Sequence, residues 1–177
     1  TLHKMVIDRI EREIQHAKAG KPARIRAKMN SLIEPSVIDA LYRASSAGVQ
    51  IDLIVRGMCT LRPGVKGLSE NIRVRSIIGR QLEHSRVYCF HNNGADDTFI
   101  SSADWMGRNF FRRIEVATPI TTPELKARVI HEGIEMALQD NTRAWLMQPD
   151  GSYLRARPEN GEPAFSLQES LWEMYGR

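Results

Sequence analysis

The chain opens on a period of three to four. Met5, Val6, Ile10 and Ile14 recur among charged residues between Leu2 and Ala19, the pattern of an amphipathic helix lying on a sheet. Gly20 and the Lys21-Pro22 pair end it. From Ala23 to Ile33 the period becomes two, with Arg24, Arg26, Lys28 and Asn30 on one face and Ile25, Ala27 and Met29 on the other. That alternation predicts a strand with one polar face. Glu34-Pro35-Ser36 opens a second helix, with Ile38, Leu41, Tyr42 and Ser45 on one stripe and Gly48 as its stop, and Val49 to Val55 is nearly continuously apolar and β-branched. Such a strand is buried on both faces, so strand, helix and strand form a parallel βαβ unit.

Met58 to Gly79 is rich in Gly, Pro, Ser and Arg and reads as a long loop ending in a short strand, Val74 to Ile78. Alternation then predicts a strand at Arg86 to Phe90, with His84, Arg86 and Tyr88 facing one way and Ser85, Val87 and Cys89 the other. His91 to Asp97, containing Asn93-Gly94, is the turn, and Thr98 to Ser102 is the antiparallel return. Ala103 to Arg113 reads as a polar connector, and Ile114 to Ile120 as an apolar strand in which Glu115 needs a partner, expected from Arg112 or Arg113. Thr122-Pro123-Glu124 starts a helix reaching about Leu138. A hairpin around Pro149-Asp150-Gly151 and a last helix after the Ser166-Leu167-Gln168-Glu169 capping box complete the chain. The expected fold is α/β, a mixed β-sheet flanked by helices over residues 1–140, with residues 141–177 as a hairpin-and-helix appendage packed on the same domain.

Composition adds bounds to this picture. With 177 residues, 42% of them hydrophobic, the chain has enough apolar surface for one sizeable core. No apolar run approaches the roughly 20 residues of a transmembrane helix, and the N-terminus lacks the order of a signal peptide, so a soluble, cytoplasmic product is expected. Cys59 and Cys89 are too few for a disulfide framework, and the five histidines are dispersed, so no metal ligands are assigned. The net charge of +4 is modest, yet between Arg56 and Arg86 seven Lys or Arg face two acids, Glu70 and Glu83. A local basic excess of this kind points to a compact polyanion as partner.

The candidate chemistry lies at strand ends: Lys28, Asn30, Arg56, His84, Arg86, Ser102 and Asp104. Open α/β sheets bind ligands at the carboxyl edge of their parallel strands. Several cations, an imidazole and small donors suit a phosphoryl group, and a histidine acts as nucleophile or as acid and base near neutral pH. For Arg56 a structural ion pair is the competing role. Trp105 and Tyr88 are expected as packing, and His3, His16, His91 and His131 receive no role.

A helix ending in Gly-Val, an apolar strand, the His84-Ser85-Arg86 group, a hairpin and a Ser-containing turn closed by Asp104 are similar to one half of a phospholipase D-like domain. Arg86 stands in place of that family's lysine and Asp104 in place of its asparagine. More of the chain resembles one branch: IVRGMCTLRPGVKGLSENIRVRSIIGR, LEHSRVY, ISSADWMGRN and RRIEVATPI are similar to the C-terminal domain of bacterial polyphosphate kinase. The resemblance runs from the KMNSLIEP strand to Leu146–Tyr153.

It implies reversible transfer of the terminal phosphate of ATP to inorganic polyphosphate, with ATP/ADP and polyphosphate as partners and Mg2+ as cofactor of the full enzyme. It also implies N-terminal domains and a first phospholipase D-like half that carries the histidine to be phosphorylated, a homo-oligomer, and no nucleic-acid partner. His84 matches the second-half histidine that assists transfer as acid or base, and Arg56 matches an arginine that binds nucleotide phosphate. Arg62, Arg73 and Arg75 either line a polyphosphate path or belong to a solvated basic loop. Taken alone, the chain is expected to be an inactive half-site. The alternatives are a phospholipase D-like phosphodiesterase that pairs two copies of His84 by homodimerising, and a non-catalytic polyanion-binding module.

Overall fold

In a computed structural model that describes residues 1–176, the amphipathic N-terminal segment is helix α1 (Leu2–Lys18), which buries Val6, Ile10 and Ile14. The expected βαβ unit follows as β1 (Arg24–Met29), α2 (Pro35–Ser46) and β2 (Gln50–Val55), with β1 and β2 parallel from Arg24 against Gln50 to Met29 against Val55. Pro35 sits in the first turn of α2, where its missing N–H costs nothing, and the Glu34 side chain accepts from the Val37 N–H. β3 (Ile72–Ile77) adds a third parallel strand beside β2.

The chain then reverses. β4 (Val87–Phe90) runs antiparallel to β1, and β5 (Asp97–Ser101) returns against β4. Between them Asn92, Asn93 and Asp96 take positive φ values of 44°, 54° and 47°, a conformation that short polar side chains tolerate best after glycine. A one-turn helix, α3 (Gly107–Phe111), lies within the segment that the sequence reads as a polar connector. The apolar run at 114–120 shortens to the edge strand β6 (Ala117–Pro119), leaving Ile114 and Val116 exposed. Glu115 finds its partners in Asn109 and Ser102, not in Arg112 or Arg113.

The next helix is continuous but not uniform: α4 (Pro123–Ile130) passes through a π-helical turn, His131–Glu135, into α5 (Met136–Gln139). The hairpin read as an appendage is part of the sheet, because β7 (Ala144–Met147) pairs with β3 and β8 (Tyr153–Arg155) with β7. α6 (Leu167–Tyr175) closes the structure, with Ser166 as its N-cap and Leu167 fully buried. The result is one eight-stranded mixed sheet in the order β6-β5-β4-β1-β2-β3-β7-β8. None of its helices is long and apolar enough to cross a membrane, among the described residues.

Both faces of the sheet are covered. Ile25, Ala27, Met29, Leu53 and Phe90 pack with Val6, Ile10 and Leu41 on one side, and Ile54, Ile77 and Val87 with Ile130, Ile134 and Leu167 on the other. The polar face of β1 lies on the second side; Arg24 at its start is exposed, Arg26 and Lys28 are buried, and each of the three takes an acid. Arg24 meets Asp52 at 2.8 Å, Arg26 meets Asp96 at 3.0 Å and Glu135 at 3.2 Å, and Lys28 meets Glu83 at 2.5 Å.

Asp52 lies between Arg24 and Arg73. Burial pushes its carboxyl up, but the hydrogen bonds and charges of Arg73 and Arg24 outweigh burial and hold it below the ordinary carboxylate range. A depressed folded value contributes stability that is present above the unfolded pKa and is lost as pH falls through the folded one. Asp52→Asn is therefore expected to cost about 1–2 kcal/mol at neutral pH. It is also expected to flatten the loss of stability below about pH 4, as read by urea unfolding of both proteins across that range.

Candidate functional site

The topology brings four of the singled-out residues to one edge. β1 and β2 end there, β4 starts there because it is antiparallel, and β5 returns there. Asn30 follows β1, Arg56 follows β2, Arg86 precedes β4 and Asp104 follows β5. The backbone around Asp104 is pinned on both sides. The Trp105 N–H donates to Ser31 O at 3.1 Å, Ile33 and Glu34 N–H groups both donate to Trp105 O at 3.0 Å, and the Tyr88 hydroxyl donates to Ala103 O. Trp105 and Tyr88 are fully buried against each other, with ring centroids 5.2 Å apart, as their packing role requires.

The Asp104 carboxylate, 6% exposed, organises this edge. Oδ1 accepts from the Asn30 N–H at 2.7 Å, from Asn30 Nδ2 at 3.3 Å and from Arg86 Nε at 3.2 Å, while Oδ2 accepts from Arg86 Nη2 at 3.2 Å. Arg86 Nη1 donates to the His84 carbonyl at 3.0 Å, and Asn30 Oδ1 accepts from Arg56 Nε at 2.9 Å. A continuous line of hydrogen bonds thus runs from Arg56 through Asn30, Asp104 and Arg86 to the backbone of His84.

That line separates two kinds of residue. Asn30, Asp104 and Arg86 spend their polar groups on one another, as a buried carboxylate and its neighbours must. Arg56 has no acidic partner among the described residues; Asn30 orients its Nε, and its two terminal nitrogens make no hydrogen bond among the described residues. It borders a hollow of about 340 Å³ together with residues 77–83, including Arg80. The same loop borders a larger, mostly apolar groove of about 630 Å³ that contains neither Arg56 nor His84.

His84 is exposed, and no described residue hydrogen-bonds its ring. The strand expected to carry His84 and Arg86 on one face starts only at Val87, where β4 meets Lys28 of β1. Before Val87 the side chains leave the sheet, Arg86 toward Asp104 and Glu83 toward Lys28. The two residues are brought together through the His84 carbonyl and not through strand alternation.

The remaining candidates lie outside that line of bonds. Lys28 is buried against Glu83. Ser102 donates to Glu115 and accepts from the Val116 N–H at 3.0 Å, outside the line of bonds. Arg73 Nε donates to Asp52 at 2.6 Å. Arg75 Nη1 donates to Leu138 O at 2.5 Å at the end of α5, where burial lowers its pKa. Of the basic-loop arginines, Arg62 leaves its guanidinium without a partner among the described residues; its N–H donates to the Tyr42 hydroxyl at 2.8 Å. Burial pushes the Cys59 thiol up to about 11 and raises Cys89 as well, so neither supplies a thiolate near neutral pH.

Sequence reasoning passed over Glu83 and Gln168. Glu83 takes Lys28 on Oε2 at 2.5 Å and Gln168 Nε2 on Oε1 at 2.7 Å. The available signal was that it is one of two acids in a basic stretch and adjoins His84.

Removing Asp104 strands the buried Asn30 amide and the Arg86 guanidinium, so Asp104→Ala is expected to cost about 2–4 kcal/mol. Asp104→Asn, which keeps the shape and half the acceptors, is expected to cost less. The midpoints of urea denaturation at constant m-value measure both.

Residues 1–168 match the family model described as polyphosphate kinase C-terminal domain 2. Polyphosphate kinase of Neisseria meningitidis serogroup C is 83% identical over 176 residues, which cover 99% of this chain and 26% of that protein. Polyphosphate kinase of Burkholderia vietnamiensis is 64% identical over 157 residues, covering 89% of this chain and 23% of that one. The crystal structure of polyphosphate kinase from Porphyromonas gingivalis superposes with a TM-score of 0.93 at 41% identity, over 98% of this chain and 26% of that one. The chain therefore spans about a quarter of the length of the relatives it matches. With nearly all of its length matched in sequence and in fold, it belongs to the polyphosphate kinase C-terminal domain 2 family.

Proposed function

We propose that the chain is the C-terminal catalytic half-site of a polyphosphate kinase, acting in the cytoplasm on ATP and inorganic polyphosphate and completed by other domains of a longer chain. One observation supports it above the others: Arg56 is oriented by Asn30 yet lacks an acidic partner among the described residues, and the same hydrogen-bonded line ends on the backbone of His84, whose ring is exposed and unbonded. In this reading Arg56 neutralises a phosphate oxygen with its two free nitrogens, and His84 donates or accepts a proton at the transferring phosphoryl group. Asn30, Asp104 and Arg86 hold those two side chains in place. The name carried by the relatives favours this reading over a phosphodiesterase or a simple polyanion-binding module.

Magnesium, which the resemblance implies, does not match the donors of this chain. Its carboxylates at the edge, Glu83 and Asp104, are neutralised by Lys28 and Arg86. No group of three or more His, Cys, Asp or Glu gathers to hold a metal among the described residues. The residues here act on phosphate oxygens directly, and any metal ligands belong to the substrate or to another domain.

In the full-length enzyme, His84→Ala is expected to lower the rate of polyphosphate synthesis by at least about 100-fold. Arg56→Lys is expected to fail as a substitute for arginine, because a lysine has no Nε–H fork for Asn30. Turnover of His84→Ala at the wild-type rate contradicts the reading, and so does synthesis by the isolated chain at the rate of a full-length enzyme.

A further inference from the structure

The loop that carries His84 is tied to the C-terminal helix by a single side chain. Gln168, in the first turn of α6, accepts from the Gln81 N–H on its Oε1 at 2.8 Å, and its Nε2 donates to Gln81 O at 2.8 Å and to Glu83 Oε1 at 2.7 Å. Its amide thus reads both backbone groups of Gln81 and one oxygen of Glu83. The other Glu83 oxygen takes the buried Lys28 ammonium at 2.5 Å. Lys28 lies on β1 two positions before Asn30, so one end of the clamp is anchored to the sheet near the edge that holds Arg56 and Asp104, and the other to α6.

Gly79 supports this arrangement. A Cβ there would overlap the Gln168 amide, with all three of its nearest atoms belonging to that group. The loop is closed on the amide as tightly as a glycine permits. Loop residues 80–86 form no helix or strand, so among the described residues the hydrogen bonds that hold the loop near His84 are the clamp and the Arg86 contacts.

We infer that Gln168 and Glu83 are positioning residues for His84: the α6 amide and the Lys28–Glu83 pair together fix the loop from which the imidazole reaches the phosphoryl group. Lys28, read from the sequence as a phosphate ligand, serves the same clamp. The inference rests on the proposed role of His84. A misplacement of about 1 Å at a reacting group costs on the order of 100-fold in rate, so the clamp has a measurable share in turnover although none of its members touches substrate.

The test is a double-mutant cycle in the full-length enzyme, with kcat, the KM for ATP and the Tm measured for each protein. Gln168→Ala keeps the Lys28–Glu83 pair and is expected to lower kcat by about 10- to 100-fold with KM and Tm little changed. In a His84→Ala background it is expected to have no further effect, because a residue that acts through His84 has nothing left to position. Gly79→Ala is expected to reproduce the loss by displacing the amide, and to be silent once Gln168 is alanine. Wild-type kcat in Gln168→Ala, a fall in Tm without a fall in kcat, or additive losses in the His84→Ala background would each overturn the clamp while leaving His84 as proposed. A fully active His84→Ala enzyme would overturn the clamp together with the reading beneath it.

Discussion

A carboxylate buried at the end of a sheet needs hydrogen-bond donors, and the way Asp104 obtains them governs the geometry of this edge. Four donor contacts from two residues, Asn30 and Arg86, converge on it. Desolvating such a group is costly unless its lone pairs are used, so the loops after β1 and before β4 are held to the arrangement that supplies those donors. Asn30 then has its side-chain oxygen Oδ1 free to orient Arg56, and Arg86 has a nitrogen free for the His84 backbone. Neutralising one charge thus orients the Arg56 guanidinium and ties down the His84 backbone.

The same principle organises the rest of the polar face of β1. Arg26 and Lys28 are buried and Arg24 is exposed at the start of the strand, and each is paired with acids from distant parts of the chain. Such pairs contribute little net stability beside apolar packing of equal volume, but breaking one is expensive. They specify which loop lies where. The Lys28–Glu83 pair does this for the loop ahead of His84, and the Asp52 cluster does it for β2 against β1 and β3.

The architecture was readable because its determinants are local and periodic. The three-to-four spacing of Val6, Ile10 and Ile14, the two-residue alternation around Ile25, Ala27 and Met29, and the apolar run to Val55 each survive into the structure as a helix and two parallel strands. The grouping of Asn30, Arg56, Arg86 and Asp104 followed from topology alone, since each lies next to a strand end. Partner choice was not readable, because it depends on which distant segment arrives opposite a side chain. Lys28 meets Glu83 across 55 residues and Gln168 meets Gln81 across 87, separations to which no periodicity applies. Strand alternation was also extended too far: it holds from Val87 onward, and tertiary pairing overrides it at Glu83 to Arg86. Likewise Glu115 takes Ser102 and Asn109 over the nearer arginines because the connector through α3 brings residue 115 back beside the end of β5.

We propose a division of labour at one edge, with Arg56 and His84 facing the phosphate and Asn30, Asp104 and Arg86 holding them. A structure of the full-length enzyme with a non-hydrolysable ATP analogue tests it most directly. The Arg56 terminal nitrogens and the His84 ring are expected within hydrogen-bond distance of the same terminal phosphate, with the Asn30–Asp104–Arg86 contacts unchanged. A phosphate bound by Arg86 or Asn30 after release from Asp104, or one that neither Arg56 nor His84 reaches, would contradict it.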